Sequence, residues 1–201
     1  MPVTFTPTVV TNPQGAQGSY PLTMTLGQEG AIADLQAYVS RSYRNQSGAV
    51  IPFGSLVFTD NTPTSNDPFA VALAVSGAGV VGLASQVKIF EGALGGIYDT
   101  GATDANGLLG YPDLQTVSVI SKGVIWVYSA EAIALGDAVR YFGVSHHATL
   151  AGSHAGRWGK TAVANKTFAL TTGARWLSET AAAGLVMLEI DMPTITFTAD
   201  T

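Results

Sequence analysis

The feature that most constrains this chain is a series of short strand signals separated by turn residues, with no segment that keeps a helical period. β-Branched and aromatic residues recur in these runs, and Gly, Pro, Asn and Asp stand between them. The clearest runs are residues 37–43, 51–59, 69–75, 80–90, 115–121, 123–129, 137–143, 166–170 and 183–190. Such a series predicts an all-β fold, a jelly-roll-like β-sandwich or barrel.

One pair of runs predicts a hairpin. Alternating β-branched and aromatic residues stand on both sides of Lys122-Gly123 in the stretch TVSVISKGVIWVYS, residues 116–129. A two-residue turn that contains Gly between two strands is a recognised hairpin pattern. The sequence therefore predicts that the chain reverses direction at this dipeptide.

Two Ala-rich stretches predict short helical corners between strands. WVYSAEAIALGDAV (residues 126–139) and WLSETAAAGLV (residues 176–186) share a plan, in which Trp is followed by Ser, an Ala-rich turn, Gly and a strand. Ser is a favourable residue for capping the start of a helix, and Gly for ending one. We expect one helical turn in each corner.

Both ends of the chain predict extended structure. Thr alternates with apolar residues in PVTFTP near the start and in PTITFTAD near the end. Prolines in the first 29 residues exclude a helix there, and edge strands of this kind pair readily with another chain. We therefore predict an extended N-terminal arm over residues 1–29, a β domain over residues 30–190 and a C-terminal edge strand or tail over residues 191–201. Val3, Phe5 and Phe197 are candidate interface residues on these ends.

Composition indicates a protein whose surface is partly covered by other subunits. Only 11% of the 201 residues are charged, against roughly 25% in an average soluble domain. The chain has no cysteine, which fits synthesis in a reducing cytoplasm. Its start lacks the pattern of a signal peptide, and its longest apolar run, residues 69–85, is too short and too Gly-rich for a membrane helix. We expect a soluble homo-oligomer, a dimer or trimer, with no membrane partner.

Three sequence motifs could indicate a catalytic or metal-binding site, but the residues around each motif do not match such a site. Asp99-Thr100-Gly101 is the motif found around the catalytic aspartate of dimeric aspartic proteases. In those proteases a run of large apolar residues precedes the motif, whereas this chain has Gly95 and Gly96 there. The same loop lacks the Gly and Glu positions of a calcium-binding EF-hand loop. Three histidines within residues 146–154 have no carboxylate among them. We therefore predict no catalytic, cofactor-binding or metal-binding residues.

Charge is distributed unevenly along the chain. Residues 140–175 contain five of the nine basic residues and none of the 14 acidic ones. This window could bind an acidic partner or a neighbouring copy, or it could be neutralised by acidic loops of the same chain, such as those with Glu91, Asp99, Asp104 and Asp113. Nucleic acid is a weaker alternative, because aromatic residues are not interleaved with the cations. The candidate interface cations are Arg140, Arg157, Lys160, Lys166 and Arg175.

Four stretches resemble the capsid cement, or decoration, proteins of tailed bacteriophages. They are GAIAD (30–34), IPFGSLV (51–57), LLGYPDLQTVSVISKGVIWVYSAEAIALGDAVRYF (108–142) and TGARWLSETAAAGLVMLEI (172–190). The resemblance implies a jelly-roll-like β domain on the outer surface of the phage head, where it bridges subunits of the major capsid protein.

Residues and resemblance together predict a non-enzymatic structural protein of the virion. An oligomer that contacts several capsid subunits at once gains avidity without strong individual contacts. The alternatives are another virion β protein, such as a head-fibre base or tail component, and a dimeric aspartic protease that uses Asp99.

Overall fold

The computed structural model describes residues 27–59, 68–86, 102–144 and 154–201, and the regular secondary structure of these residues is β apart from one 3₁₀ turn. The strands are β1 (Ile32–Asn45), β2 (Ile51–Pro52), β3 (Leu56–Thr59), β4 (Ala70–Leu73), β5 (Val80–Ala84), β6 (Ala102–Thr103), β7 (Leu109–Tyr111), β8 (Thr116–Ser129), β9 (Val139–Phe142), β10 (Trp158–Gly159), β11 (Thr167–Thr172), β12 (Ala174–Trp176), β13 (Gly184–Asp191) and β14 (Thr196–Ala199). A 3₁₀ helix, Met192–Thr194, lies between the last two strands. The predicted all-β class is confirmed.

The strands form one 11-stranded sheet and one three-stranded sheet. In the large sheet, five strands close a circuit, since β1 pairs with β4, β4 with β3, β3 with β5, β5 with β8, and β8 again with β1. The sheet continues from β8 through β10, β9 and β11 to β14, while β13 pairs along the second half of β8 and carries β12. The small sheet has the order β2-β7-β6. β8 is thus the strand that joins the closed circuit to the rest of the sheet.

The predicted hairpin at Lys122-Gly123 is wrong, because β8 runs unbroken for 14 residues through this dipeptide. A bulge takes the place of the turn: Val39 of β1 lies opposite Lys122, whereas the next residue, Ser40, lies opposite Ile120. Gly123 has a φ of +136° and pairs with β13. The glycine that suggested a turn in the sequence therefore accommodates a bulge within a strand.

The bulge changes which residues of β8 face which core. Before it, Val117 and Val119 belong to the smaller core cluster, and Ile120 belongs to the larger one. After it, Ile125 and Val127 belong to the larger cluster. Odd-numbered positions thus switch sides, because one extra residue reverses the alternation of side chains along a strand. A single strand can in this way contribute to two cores.

The larger cluster packs β8 against β9, β11 and β13, with aromatic rings at its centre. Tyr141 and Trp158 are fully buried with ring centroids 5.0 Å apart at 67°, and Phe168 lies 5.2 Å from the Tyr141 ring. The indole N–H of Trp158 donates a 2.8 Å hydrogen bond to the carbonyl of Gly54. Burial raises the pKa of Tyr141. Each ring of this size contributes on the order of 2–3 kcal/mol on burial, and the indole bond fastens the loop between β2 and β3 to this core.

The predicted helical corners are also wrong, because their backbone groups pair between the two corners instead of within each. Ile133 and Thr180 exchange N–H···O bonds of 2.9 and 3.0 Å, which bridges the two Ala-rich stretches. Ser129 caps a turn as expected of a Ser: its hydroxyl accepts the N–H of Glu131. Within the described residues, the 3₁₀ helix is the one helical element. A mutual bridge removes the need for a helical turn to satisfy these groups.

Gly123→Ala is expected to destabilise the protein more than Gly136→Ala. Both glycines have positive φ, +136° and +91°, so Ala at either position costs about 1 kcal/mol in backbone strain. At Gly123 an added Cβ would also lie 2.8 Å from the Cβ of Tyr38, whereas at Gly136 it would meet open space. Overpacking adds roughly 1–3 kcal/mol. Urea unfolding of the two variants measures the difference, and equal losses would contradict the bulge described for β8.

Candidate interface

The sequence-predicted interface cations are largely engaged within the chain. Arg140, Arg157, Lys160 and Arg175 each form an ion pair with a carboxylate of the described residues, respectively Asp200, Glu29, Asp137 and Glu189. None of these partners is an acidic residue that the sequence suggested. Asp104 instead caps its own turn before β7 and Asp113 accepts the N–H of Gly48, while Glu91 and Asp99 lie outside the described residues. Lys166 is half-buried beside β11.

The most buried of these pairs joins the start of the β domain to the loop before β10. Arg157 contacts the carboxylate of Glu29, and its guanidinium lies 4.2 Å from the centroid of the Tyr128 ring. Desolvation by burial raises the pKa of Glu29 despite the opposing attraction of Arg157. The Arg157 side chain is 9% exposed and that of Glu29 22%. This pair fixes the point at which residues 27–31 reach β8, where Gly30 donates a 2.7 Å hydrogen bond to the carbonyl of Trp126.

Lys160 belongs to a polar cluster at the corner after β10. Its ammonium lies 2.9 Å from Asp137, and its backbone N–H donates a 2.6 Å bond to Glu131. The Glu131 carboxylate also accepts the N–H and the hydroxyl of Thr161 at 2.8 and 2.7 Å. Hydrogen bonds from Ala134 and Lys160 hold the pKa of Asp137 below its usual value. The cluster ties the corner to the strand ends.

Arg140 connects β9 to the C-terminal end. Its guanidinium lies 3.2 Å from Asp200 and donates a 2.6 Å bond to the carbonyl of Lys160. Asp200 also accepts the hydroxyl of Thr167 at 2.5 Å. Phe197, the other described candidate from the sequence, packs against the larger core with its ring 5.7 Å from Phe168. Val3 and Phe5 lie outside the described residues, as do all of residues 1–26 and Asp99.

Two cations that sequence reasoning did not select have no ion pair among the described residues. They are Arg41 and Arg44, both exposed on β1. The sequence signal was the short basic run SRSYRN in the first strand. Among the described residues, these two arginines are therefore exposed cations whose charge no described carboxylate neutralises.

Arg44 lies at the junction of β1, β4 and β8, where backbone hydrogen bonds hold two residues with exposed apolar side chains close to the end of β1. Its N–H donates a 2.9 Å bond to the carbonyl of Phe69, and the next residue, Asn45, accepts a 2.8 Å bond from the N–H of Leu114. Phe69 is 57% exposed and Leu114 is 61% exposed. We refer to Arg44, Phe69 and Leu114 as the junction surface.

A buried amide organises the loops of the junction surface. Asn45 is fully buried, and its Nδ2 donates to the carbonyls of Ala49, Tyr111 and Pro112 at 2.7, 3.0 and 3.1 Å. Its Oδ1 accepts the N–H and hydroxyl of Ser47. One side chain thus links the loop after β1 to the loop before β8, so that both loops are held in place.

Leu114 adopts a backbone conformation that does not suit leucine. Its φ is +63°, in the left-handed region that Gly and Asn favour and that costs a residue with a larger side chain about 1 kcal/mol or more. The Leu114 side chain is nevertheless exposed and belongs to neither core cluster. Strain and exposure together make Leu114 a candidate contact residue. The apolar residue inside the turn sequence PDLQ was the available signal.

A second exposed feature of β1 is a groove of about 420 Å³ beside residues 39–43. Its walls come from β1, β5, β8 and the 3₁₀ helix, and its apolar part is formed by Val39, Tyr43, Val81, Val119 and Met192. Arg41 and Lys122 stand at its sides, the latter 2.9 Å from Asp191. The groove opens onto the smaller core cluster, to which Val119 belongs.

The described residues contain neither a grouping of His, Asp and Glu that could hold a metal ion nor a helix long and apolar enough to cross a membrane. His154 is half-buried, and His146 and His147 are outside the described residues.

Comparisons with known proteins agree with this picture of a contact-forming β protein. The family model described as structural cement protein (E217 gp24/Pam3 gp6) matches residues 16–191. A chain from a solved structure titled "The capsid of Myoviridae Phage XM1" is similar in fold, with a TM-score of 0.55 and 15% sequence identity, over 87% of this chain and 96% of that chain. No curated protein matches.

Glu29→Ala is expected to lower the free energy of unfolding by on the order of 3 kcal/mol, because it leaves the buried Arg157 guanidinium without its carboxylate. Glu189→Ala is the matched control. Its partner Arg175 is 72% exposed, so we expect a loss of about 1 kcal/mol or less. Denaturant unfolding at neutral pH measures both. If the two losses are similar, Arg157 does not depend on Glu29.

Proposed function

The chain belongs to the structural cement protein family and is a capsid cement protein of the phage virion, and from this premise we propose that it binds the outer surface of the shell and bridges major capsid protein subunits through the junction surface. The family is a structural one. The observation that carries the docking surface is the exposed, strained Leu114, together with the exposed Phe69 and an Arg44 that has no ion pair among the described residues.

The chemistry of the junction surface fits a partner with an apolar hollow and a carboxylate at its rim. The surface combines two large exposed apolar side chains with one cation, and a few such residues can carry most of the affinity of an interface. Burying Phe69 and Leu114 against the shell supplies most of the affinity, while Arg44 contributes orientation and association rate. Because few charges remain unpaired on the described surface, added salt weakens attachment only in part.

We also propose that the protein acts as a homo-oligomer. A charged fraction of 11% supports this, since it leaves much of the surface suited to neutral contacts with other copies. An oligomer presents several junction surfaces to the shell at once, and linked contacts raise avidity by ~10²–10⁴. Modest individual contacts are then sufficient to hold neighbouring capsid subunits together.

The interface residues predicted from the sequence stay a prediction, but fewer of them are exposed enough to contact a partner. Arg175 on β12 is the most exposed of the cations in the 140–175 window that form described ion pairs, and Lys160 is partly exposed. Arg157 and Phe197 contribute packing inside the domain. The exposed members of the window would form a second, rim contact to an acidic part of the shell or of a neighbouring copy.

Leu114→Gly is expected to weaken attachment to the shell about tenfold or more, since a hot-spot side chain carries more than 1 kcal/mol. The same change keeps or raises the free energy of unfolding, because Gly relieves the strain at φ +63°. Shells that lack this protein are mixed with each variant and sedimented, and the bound fraction is measured. A separate denaturation series gives stability.

The matched control is Leu135→Gly, which removes another leucine, 59% exposed, from a turn remote from the junction surface in sequence. We expect it to bind like the wild type. Phe69→Ser and Arg44→Glu should weaken binding as Leu114→Gly does, whereas Arg175→Glu should have the smaller effect of a rim contact. Wild-type binding by all three junction variants would rule out this surface, and a loss confined to Arg175→Glu would assign docking to the basic window.

A further inference from the structure

We infer that residues 39–43 of β1 are the acceptor for an added strand, and that the occupant is the N-terminal segment around Val3 and Phe5 of this chain. The acceptor is part of the described structure, and the occupant is a named segment outside it. This inference needs neither the capsid nor a particular oligomer, so it stands or fails separately from the proposed function.

One edge of β1 has no strand beside it over residues 39–43 within the described residues. β8 pairs along this stretch, but β4 pairs with β1 at Arg44 and Asn45 alone. Every residue from Tyr38 to Ser42 is exposed, including those on both faces of the strand, and Tyr38 and Val39 are 42% and 47% exposed. A strand inside a sheet that is exposed on both faces and along one edge is a template for another strand.

The direction of the backbone groups identifies which residues accept the partner. The N–H of Arg44 bonds to Phe69 on the β4 side, and the N–H of Asn45 bonds to Gln115 on the β8 side. These directions alternate along a strand. Ser40 and Ser42 therefore direct their N–H and C=O groups to the open edge, where an added strand would pair with them.

Side chains of the same stretch provide the pockets that an added strand requires. Val39, Arg41 and Tyr43 line the groove of about 420 Å³, with Val81 and Met192 on its other walls. A strand placed beside β1 turns alternate side chains towards this face. Strand addition thus combines backbone hydrogen bonds at the edge with apolar side chains in the groove.

The first residues of the chain have the matching pattern. Val3 and Phe5 alternate with Thr4 and Thr6, so a strand directs the two apolar side chains to one face and the two threonines to the other. Residues 1–26 contain no charged side chain, which suits a largely apolar groove. Pro7 follows at once and is tolerated on an edge strand, where its missing N–H faces solvent.

The length of chain before the described residues makes the placement feasible. The described chain begins at Gly27, which approaches the ring of Trp126 on β8. The preceding 26 residues span at most about 90 Å when extended. They include the turn-rich stretch NPQGAQGSYP, which permits a change of direction. The segment around Val3 and Phe5 precedes the family match, which begins at residue 16.

Hydrogen exchange of the full-length protein tests the inference without any capsid. We expect the amides of Ser40 and Ser42 to be protected in the wild type and to exchange about tenfold faster or more in Val3→Lys/Phe5→Lys, because the new charges would be desolvated in the groove and would repel Arg41 and Lys122. The matched control Thr4→Lys/Thr6→Lys adds the same charge on the outer face and should keep the protection. Equal exchange in all three proteins would overturn the inference.

Cross-linking tests directly whether the N-terminal segment lies beside β1, and it distinguishes this segment from other occupants of the edge. The chain has no cysteine, so a short bis-maleimide joins only introduced pairs. Phe5→Cys with Val39→Cys should cross-link efficiently, and the control pair Phe5→Cys with Leu135→Cys should not. The mass of the product shows whether the N-terminal segment comes from the same copy of the chain or from a second copy. Either result supports the inference. Equal yields for the two pairs, or protection of Ser40 and Ser42 that appears only when shells are added, would overturn it.

Discussion

The bulge between β1 and β8 is the constraint on which the rest of the described structure depends. One extra residue near Ser121 reverses the side-chain alternation of β8, so that the strand supplies Val117 and Val119 to one core and Ile125 and Val127 to the other. Without this reversal, one half of the strand would direct its apolar residues to the wrong side. The closed circuit of five strands and the sheet that continues through β9, β11 and β13 are joined through this strand.

The sequence predicted the class of fold and most of its strands, but not how they connect. Alternating apolar residues mark a strand because burial on one face is a local property, and nearly every predicted run contains an observed strand. The role of Gly123 depends on what lies beside it. A glycine with positive φ serves a turn or a bulge equally well, and only the pairing with β1 and β13 decides between them. The Ala-rich corners failed for the same reason, since Ile133 and Thr180 find each other across the fold.

The candidate interface was harder to predict, because charge in a sequence does not reveal its partner. The basic window between residues 140 and 175 looked available, yet its carboxylate partners come from distant positions such as Glu29 and Asp200. Arg44 looked ordinary in the sequence and proved to be unpaired within the described residues. Leu114 could be recognised as unusual only when its φ was known. Local signals of this kind identify turns, whereas exposure and strain emerge from the folded chain.

Two seams of the closed circuit are narrow among the described residues, since β5 with β8 and β1 with β4 are each joined by two residue pairs. The β1–β4 seam pairs Arg44 with Ala70 and Asn45 with Val71, and its parallel arrangement is slightly weaker per residue than the antiparallel one of β5 and β8. Local opening of a protein begins where few backbone bonds hold neighbouring strands together. This seam runs through the junction surface, so a partner bound there would hold Phe69 and Arg44 side by side and close it. A ligand that binds only the closed form stabilises that form. Binding to the capsid would therefore stabilise the closed circuit at the β1–β4 seam. The protein would stabilise the capsid, and the capsid would in turn stabilise the protein.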